Sequence, residues 1–249
     1  MMIIAQISDI HASPENNNLL RFEQALLWLE MIKPDAVVLT GDLTDENWLQ
    51  GYAHIAVMSK KYSWLTLILP GNSDDSGAMR RTWDDNNWHP TSLPDSMNFN
   101  VALGEVCLIG VDTTLKGESS GDIRRNIDWL DKQLKANGGM KTMMFMHHHI
   151  VKSGIPTMDD IMCRGHEELR QLLLRHRSKP LAIATGHVHR SMAGMFAGIP
   201  AYICGSICPA NPLWFGSDGL PTASDPPSIM VYRLENNMIH SYPVSIPAL

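Results

Sequence analysis

The chain predicts an α/β fold in which two mixed β-sheets pack face to face with helices outside them. Three observations lead there. From Met2 to Leu69, apolar strand-like runs alternate with amphipathic helical runs as β-α-β-α-β, the pattern of a mostly parallel sheet. From Met97 onward, hairpins interleave with further helix and strand runs, as a second sheet of mixed direction requires. At 249 residues and 44% hydrophobic content, the chain also carries enough apolar material for a large core.

Taken in order, Met2 to Ser8 is a first strand, followed by an Asn-rich turn. An amphipathic helix then runs from about Leu19 to Ile32: Leu19, Phe22, Leu26, Leu29 and Ile32 recur at helical spacing, and Lys33-Pro34 stops the run. Ala36 to Thr40 is almost continuously apolar, as a strand covered on both faces must be. A second helix from about Asn47 to Lys61 leads to a strand from Leu65 to Leu69. Met97 to Leu103 and Val106 to Val111 flank Gly104-Glu105 as a hairpin. Asp122 to Ala136 is helical, with Ile123, Ile127, Leu130 and Leu134 on one face, and Thr142 to Met146 is a buried strand. Glu167 to Arg177 reads as helix and Leu181 to Ala184 as strand. Met192 to Cys204 and Ser228 to Val244 read as antiparallel hairpins, the second turning at Asn236-Asn237. Neither an internal repeat nor an interdomain linker interrupts this order, so residues 1–249 are expected to form one domain. Pro209 to Pro227, rich in Pro, Gly and Ser, is a long loop, and the segment around 205–227 is a candidate cap or oligomer contact.

Composition narrows the function classes. A formal net charge of −6 offers no basic footprint, which argues against a nucleic-acid polymer or an anionic membrane as partner. No apolar run approaches the ~20 residues of a membrane helix. The opening Met1-Met2-Ile3-Ile4-Ala5-Gln6-Ile7 lacks a basic region and runs straight to the candidate ligand Asp9, so no export signal is expected. Cys107, Cys163, Cys204 and Cys208 are scattered over positions that read as strand or helix. They are expected to be buried free thiols in a reducing cytoplasm, with Cys204-x3-Cys208 as a metal or disulfide pair the alternative. The sixteen methionines read as core filler.

The chemistry lies in five short motifs, each at the end of an apolar run. They are Asp9-Ile10-His11, Gly41-Asp42-Leu43-Thr44-Asp45, Gly71-Asn72-Ser73-Asp74, His147-His148-His149 and Gly186-His187-Val188-His189. Side chains just beyond the carboxyl ends of strands are where open α/β sheets bind ligands. Carboxylate and amide oxygens combined with imidazole nitrogens, without thiolates, suit Mn, Fe, Co or Zn and disfavour a structural zinc site. Such donor sets hold paired ions that activate water against phosphate esters. Any one motif is weak, since GD and GN pairs are common turn sequences. Five in order are not.

This set resembles the calcineurin-like metallophosphoesterases, whose pattern is D-x-H, G-D-x-x-D, G-N-H-[DE], H and G-H-x-H. The resemblance runs from Ile3 to about His189. Phe145-Met146-His147-His148, Met158-Asp159-Asp160-Ile161 and Cys163-Arg164-Gly165-His166 are similar to the branch of cyclic-nucleotide phosphodiesterases and glycerophosphodiesterases. It implies a four-layer metallophosphoesterase sandwich and two divalent or trivalent ions (Mn, Fe, Zn or Co). Asp42 would bridge them, with Asp9, His11 and His189 on one ion and Asn72, His147 and His187 on the other. It further implies a phosphodiesterase in which a hydroxide between the ions attacks a small phosphate ester. Asp42, Asn72 and His148 are the candidate catalytic residues, the expected location is the cytoplasm, and a homo-oligomer is the partner left open. The departure is Ser73, where the family has a histidine beside the leaving group.

Blander roles stand beside these. Asp45 orients a neighbour or caps a helix, and Asp74 is a cap or supports a ligand. His148 and His149 face either substrate or solvent, and His166 belongs to a helix start or a pocket. Trp214 and Phe215 are read as packing or an oligomer contact before an aromatic wall for substrate. Ser73 leaves three functions open. A serine hydroxyl is too weak an acid to replace imidazole. The chain is then a diesterase using His148, His149 or water instead, a phosphomonoesterase of the same fold, or a metal-binding scaffold that has lost catalysis. The complete donor set favours an enzyme, and the scarcity of arginines near the motifs (Arg190 and Arg164) favours diesters, which carry one negative charge.

Overall fold

The computed structural model describes residues 1–45, 48–83, 87–89, 93, 95–219, 222, 225–236 and 238–247. Two sheets form. The first has five strands: β1 (Met2–Ile7), β2 (Ala36–Thr40), β3 (Leu65–Leu69), β10 (Ser228–Glu235) and β11 (Met238–Ser245), in the spatial order β11-β10-β1-β2-β3. The second has six: β4 (Phe99–Leu103), β5 (Val106–Val111), β6 (Lys141–Met146), β7 (Ala182–Thr185), β8 (Met192–Phe196) and β9 (Ile199–Ile203), in the order β4-β5-β6-β7-β9-β8. β1, β2 and β3 are parallel, as are β5, β6, β7 and β9; the outer pairs are antiparallel. The expected pair of mixed sheets is therefore present.

Period-two alternation sorts the side chains into layers. In β2, Ala36 and Val38 face the other sheet, while Val37 and Leu39 face the helices α1 (Asn18–Ile32), α2 (Gln50–Ser59) and α3 (Ser76–Trp83). In β6, Met143 and Phe145 point between the sheets, while Met144 and Met146 pack outward with α4 (Ile127–Ala136) and α6 (His166–Arg175). Helix, sheet, sheet, helix: four layers result. Burying each such side chain is worth ~1.5–3 kcal/mol, which is why both faces of β2 and β6 are apolar.

Two helices lie outside the sequence-based expectations. α3 was hidden by Arg80 and Arg81 in its last turn and buries only Ala78, Met79 and Trp83. Its start is held by Asp75, whose carboxylate accepts from the Ala78 amide at 2.6 Å. The other, α5 (Pro156–Asp159), is a single turn. The helix expected over Asp122–Ala136 opens as a 3-10 turn, Ile123–Asn126, capped by Asp122, before becoming α4. Asn47, the expected start of α2, and Asn237 lie outside the described residues. The β8–β9 hairpin turns at Ala197 and Gly198, both left-handed (φ 53° and 77°), the twist a two-residue hairpin loop prefers. Described residues of the 205–227 segment form neither helix nor strand. Among the described residues, no helix is long and apolar enough to cross a membrane.

One polar contact pins the sheets together. Gln6 of β1 donates to the Thr40 hydroxyl (2.9 Å) and to the Thr185 carbonyl of β7 (3.0 Å), and accepts from the fully buried Tyr232 hydroxyl at 2.7 Å. Tyr232→Phe should leave Gln6 Oε1 buried without its donor and cost ~1–3 kcal/mol in urea unfolding. Pairing it with Gln6→Leu should recover part of that loss; an unchanged midpoint in the single variant would show the bond to be idle.

Candidate functional site

All seven candidate donors meet where the carboxyl ends of both sheets converge. β1 ends into Asp9 and His11, β2 into Asp42, β3 into Asn72, β6 into His147, and β7 into His187 and His189. The loops after β1 and β2 are zipped to each other. The amide of Asp9 donates to Gly41 O (3.0 Å), that of His11 to Asp42 O (2.9 Å), that of Ala12 to Leu43 O (3.0 Å) and that of Asp45 to Ala12 O (3.0 Å). Gly41 and Gly71 pack back to back, so a side chain on Gly41, itself at φ +90°, would strike the Gly71 backbone. On Gly186 a side chain would run into Ser8 and the Asp9 carboxylate. The glycines thus set how closely separate strands bring their donors together.

The donors fall into two groups that share Asp42. His11 Nε2 stands 3.2 Å from His189 Nε2 and 3.3 Å from Asp42 Oδ2, and His189 Nε2 lies 3.3 Å from Asp9 Oδ1. His147 Nε2 stands 3.1 Å from His187 Nδ1, 3.2 Å from Asn72 Oδ1 and 3.5 Å from Asp42 Oδ2. Asp9, Asp42, His147 and His187 are buried; His11, Asn72 and His189 are partly open.

The outer nitrogens decide what the inner ones can do. His147 Nδ1 lies 2.7 Å from the Thr40 carbonyl, which only accepts, so Nδ1 carries the hydrogen. In the neutral ring Nε2 is then a bare lone pair directed at Asn72, His187 and Asp42. His11 is fixed likewise by Asp45, whose carboxylate takes Nδ1–H at 2.9 Å and leaves Nε2 facing His189. Lone pairs pointed at lone pairs and carboxylates are an arrangement that cations satisfy. The residues fit paired metal ions. The donor set of oxygen and imidazole nitrogen agrees with transition metals of borderline character.

Without cations, protons take that role. Burial alone would lower His11 and raise Asp42, but their contact outweighs it: His11 rises to about 10, and His11 with His147 holds Asp42 well below the usual carboxylate range. Burial likewise opposes, and Asp42 and Asp9 outweigh it, at His147, which rises to about 9. Asp9 is lowered, burial being overcome by His189. Behind this layer, burial and the neighbouring imidazoles push His148 and His187 well below 6.5, and His149 down to about 4.

The supporting residues take definite places. Asp74 is a hub, accepting from the Gly71 amide (2.9 Å), the Leu43 amide (3.0 Å) and the Tyr52 hydroxyl (3.1 Å); burial and Asp42 raise it to about 6. Ser73 gives its amide to Asp42 Oδ1 (2.8 Å) and its hydroxyl to Thr44 O (3.1 Å). His148 and His149, read as facing substrate or solvent, are fully buried. His148 Nδ1 pairs with the Thr113 hydroxyl at 2.8 Å, and its ring stands beside those of His147 and His187. His166 opens α6, with Nδ1 3.1 Å from Cys163 O. Trp214 packs on Ile155, Val188 and Ile203, while Phe215 is exposed.

Sequence reading offered Cys208 only as a partner of Cys204 and did not place it beside Asp9 and His189. All four cysteines are buried free thiols, but only Cys107 lies in a strand or helix. The Cys208 amide donates to Asp9 O (3.0 Å), and its sulfur stands 3.3 Å from His189 Nδ1. Burial pushes its thiol up to about 12. Cys208 belongs to no strand-end motif, and its spacing to Cys204 does not point to His189; its position depends on the long loop returning to β1.

The calcineurin-like phosphoesterase model matches residues 2–191. The chain belongs to that family. Among its relatives is a protein of Arcobacter nitrofigilis named "Probable glycerophosphodiester phosphodiesterase GpdQ", 31% identical over 200 residues, covering 76% of this chain and 72% of that one. Another is the 3',5'-cyclic adenosine monophosphate phosphodiesterase CpdA of Escherichia coli K12, 26% identical over 200 residues, 76% and 70% of the two chains. The fold is that of a dimetal phosphatase from Danio rerio, with TM-score 0.73, 12% identity and 99% of both chains covered. Membership in this phosphoesterase family makes the chain a hydrolase of phosphate esters.

Two predictions come from this geometry. Gly186→Ala should displace the Asp9 carboxylate and reduce ion uptake measured by elemental analysis, with circular dichroism unchanged. In chelator-treated protein, His11 and His147 have folded pKa values above their ordinary 6.5. Their contribution to stability is complete below pH 6.5 and is lost as pH rises through about 9 to 10. The denaturation midpoint should fall over that window, and His147→Gln should flatten the fall. A flat wild-type profile there would refute the charge assignment.

Proposed function

We propose that this chain is a metal-dependent phosphodiesterase that holds two cations. The observation carrying the proposal is the pair of committed imidazoles. His11 and His147 each spend Nδ1–H on a fixed acceptor and turn Nε2 toward the same carboxylate, Asp42. One ion would be held by Asp9, His11 and His189, the other by Asn72, His147 and His187, with Asp42 serving both. Bound cations would supply Lewis acidity, withdrawing charge from phosphoryl oxygens and making water acidic enough to ionise near neutral pH.

The chain's own residues shape the rest. Asn72 offers an amide oxygen without adding negative charge where an anionic ester docks. Asp74 fixes the loops carrying Asp42 and Asn72 by accepting from Leu43 and Gly71. Asp45 orients His11. Two things favour diesters over monoesters: the activities named for the relatives, and the engagement of both nearby arginines. Arg190 is spent on Asp225 (2.7 Å) and Asn211 O (2.8 Å), and Arg164 on Glu118 (2.7 Å). A second negative charge on the substrate would find neither free. Residues 1–249 are read as one domain, with the loop of 205–227 bordering the site through Cys208.

Ser73 and the buried histidines set the leaving-group requirement. The Ser73 hydroxyl is directed at Thr44 O, and His148 sits behind His147 and His187 with no exposure. Neither is placed to protonate a departing alcohol, so His148 is assigned packing behind the donors and not contact with substrate. Rates should therefore depend steeply on leaving-group acidity.

An activity panel tests the reading. Mn-loaded protein should carry about two ions per chain, lose activity with chelator, and turn over an aryl phosphodiester faster than the matching monoester. Asp42→Ala should lower the rate by ~10²-fold or more, because it removes the charge serving both ions. The reverse order of substrates would select the monoesterase, and no turnover of any ester by loaded protein would select a scaffold. In a leaving-group series, Ser73→His should raise rates on alkoxide-like leaving groups by up to the ~10²–10⁴-fold typical of general acids and change aryl esters little. A shallow series in wild type that steepens in His148→Ala would instead place the acid at His148.

A further inference from the structure

The Asn-rich turn after β1 makes a contact that none of the five motifs announces. The carbonyl of His11 accepts from Asn16 Nδ2 and from Asn18 Nδ2, each at 2.9 Å. A carbonyl only accepts and has two lone pairs, so both side chains present their NH2 groups and both lone pairs are used. Among the described residues, no other candidate donor has a carbonyl that receives two side-chain amides. Asn18, the first residue of α1, is buried, while Asn16 is exposed.

The two amides complete a clamp around one residue. His11 N donates to Asp42 O (2.9 Å) and the following amide, Ala12 N, to Leu43 O (3.0 Å), so the peptide groups on both sides of His11 are held. His11 sits at φ 46°, a left-handed conformation that persists only where the surroundings impose it. Asn16 also reaches the anchor of the ring. Its Nδ2 lies 3.4 Å from Oδ2 of Asp45, whose Oδ1 takes His11 Nδ1–H. Its Oδ1 accepts from Asn18 N (3.1 Å) and Ser13 N (3.3 Å), which ties the turn to the start of α1. One turn thus governs both the backbone and the ring of His11. Asn17, between the two, forms no side-chain cap; its carbonyl accepts from Leu20 N and Arg21 N.

We infer that Asn16 and Asn18 are positioning residues for the first cation position: by locking His11 they present its Nε2 to the ion that Asp9 and His189 would share. This rests on the two-cation reading above. The second position draws on Asn72, His147 and His187, which among the described residues make no hydrogen bond with either asparagine. It should not register their loss.

Manganese(II) is the probe, titrated calorimetrically into the full chain after treatment with chelator. Wild type should take up about two ions per chain. Asn16→Ala and Asn18→Leu should each weaken one of the two binding events by the ~10–100-fold that support of a metal ligand is worth. Leucine is close to asparagine in shape and forms helix more readily, so the second change need not unfold α1. Asn17→Ala should alter neither event. In a His147→Gln background, which breaks the second position, the two asparagine substitutions should weaken the remaining event. In a His189→Ala background, which breaks the first, they should leave it unchanged. Equal weakening in both backgrounds would reveal a merely structural role and overturn the inference, as would unchanged affinity in every variant. One ion in wild type, weakened by the asparagine substitutions and lost in His189→Ala, would support the inference and overturn the two-cation reading. No bound ion would overturn both. Asn16 is exposed, so Asn16→Ala decides the matter even if Asn18→Leu folds poorly.

Discussion

Seven donors from five chain segments can reach one small volume only if the backbone turns sharply at the donors themselves. Asp9, His11, Asp42, His187 and His189 all have φ between 46° and 71°, and among the described residues they are five of the nine non-glycine positions in that region. Aspartate and histidine tolerate left-handed backbone better than most residues, yet each such position costs on the order of 1–3 kcal/mol. The cross-loop bonds from Asp9 to Gly41, His11 to Asp42 and Ala12 to Leu43 hold them there. Loop and sheet depend on each other at this point: the pairing of β1 with β2 continues past the strand ends as the zipped loops. The donors are thus held by hydrogen bonds between their own loops, as a preorganised site requires.

Charge is arranged with the same economy. Thr40 O and the Asp45 carboxylate fix which nitrogen of His147 and His11 carries hydrogen, and both then present Nε2 to Asp42. Protons and cations compete for the same lone pairs, so metal affinity and pH are linked through these two rings. The amide of Ser73 adds a fixed dipole to Asp42 Oδ1. This contact uses the Ser73 backbone and not its side chain, whose hydroxyl is directed instead at Thr44 O.

Much of this was legible in the sequence because it is local. Short apolar runs marked β1, β2, β3, β6 and β7, and each donor follows its strand by one to four residues, so strand assignment located the donors. The two-sheet architecture needed the family resemblance as well, since periodicity does not say which sheet a strand joins. α3 escaped because a short helix with two arginines buries too little to leave a periodic signal. The depth of His148 and His149 escaped for another reason. They pack against Gly121, where a side chain would overlap the His148 ring, and Asp159 of α5, whose carboxylate lies 3.8 Å from His149; Gly121 is remote in sequence, and α5, though close, is a single turn without a periodic signal. The setting of Cys208, which the sequence offered only as a partner of Cys204, escaped because Asp9, His11 and His189 lie at sequence separations no spacing rule covers.

The imidazoles behind the site explain why charge stays in front of it. His147, His148 and His187 are mutually in ring contact, and His149 touches His187 from the other side. Four protonated rings at such distances would repel strongly in a medium of low dielectric. Burial and the neighbouring rings keep His148, His149 and His187 neutral, so positive charge in the metal-free protein is confined to the rings that meet Asp9 and Asp42. A neutral His187 still presents Nδ1 toward His147 Nε2 at 3.1 Å. The buried layer thus keeps the second group in a form that binds a cation without first losing a proton from His187. In that group only His147, raised to about 9, must release one, whereas in the first group both His11 and His189 must. The two halves of the site therefore differ in the protons they hold, even though Asp42 is common to both.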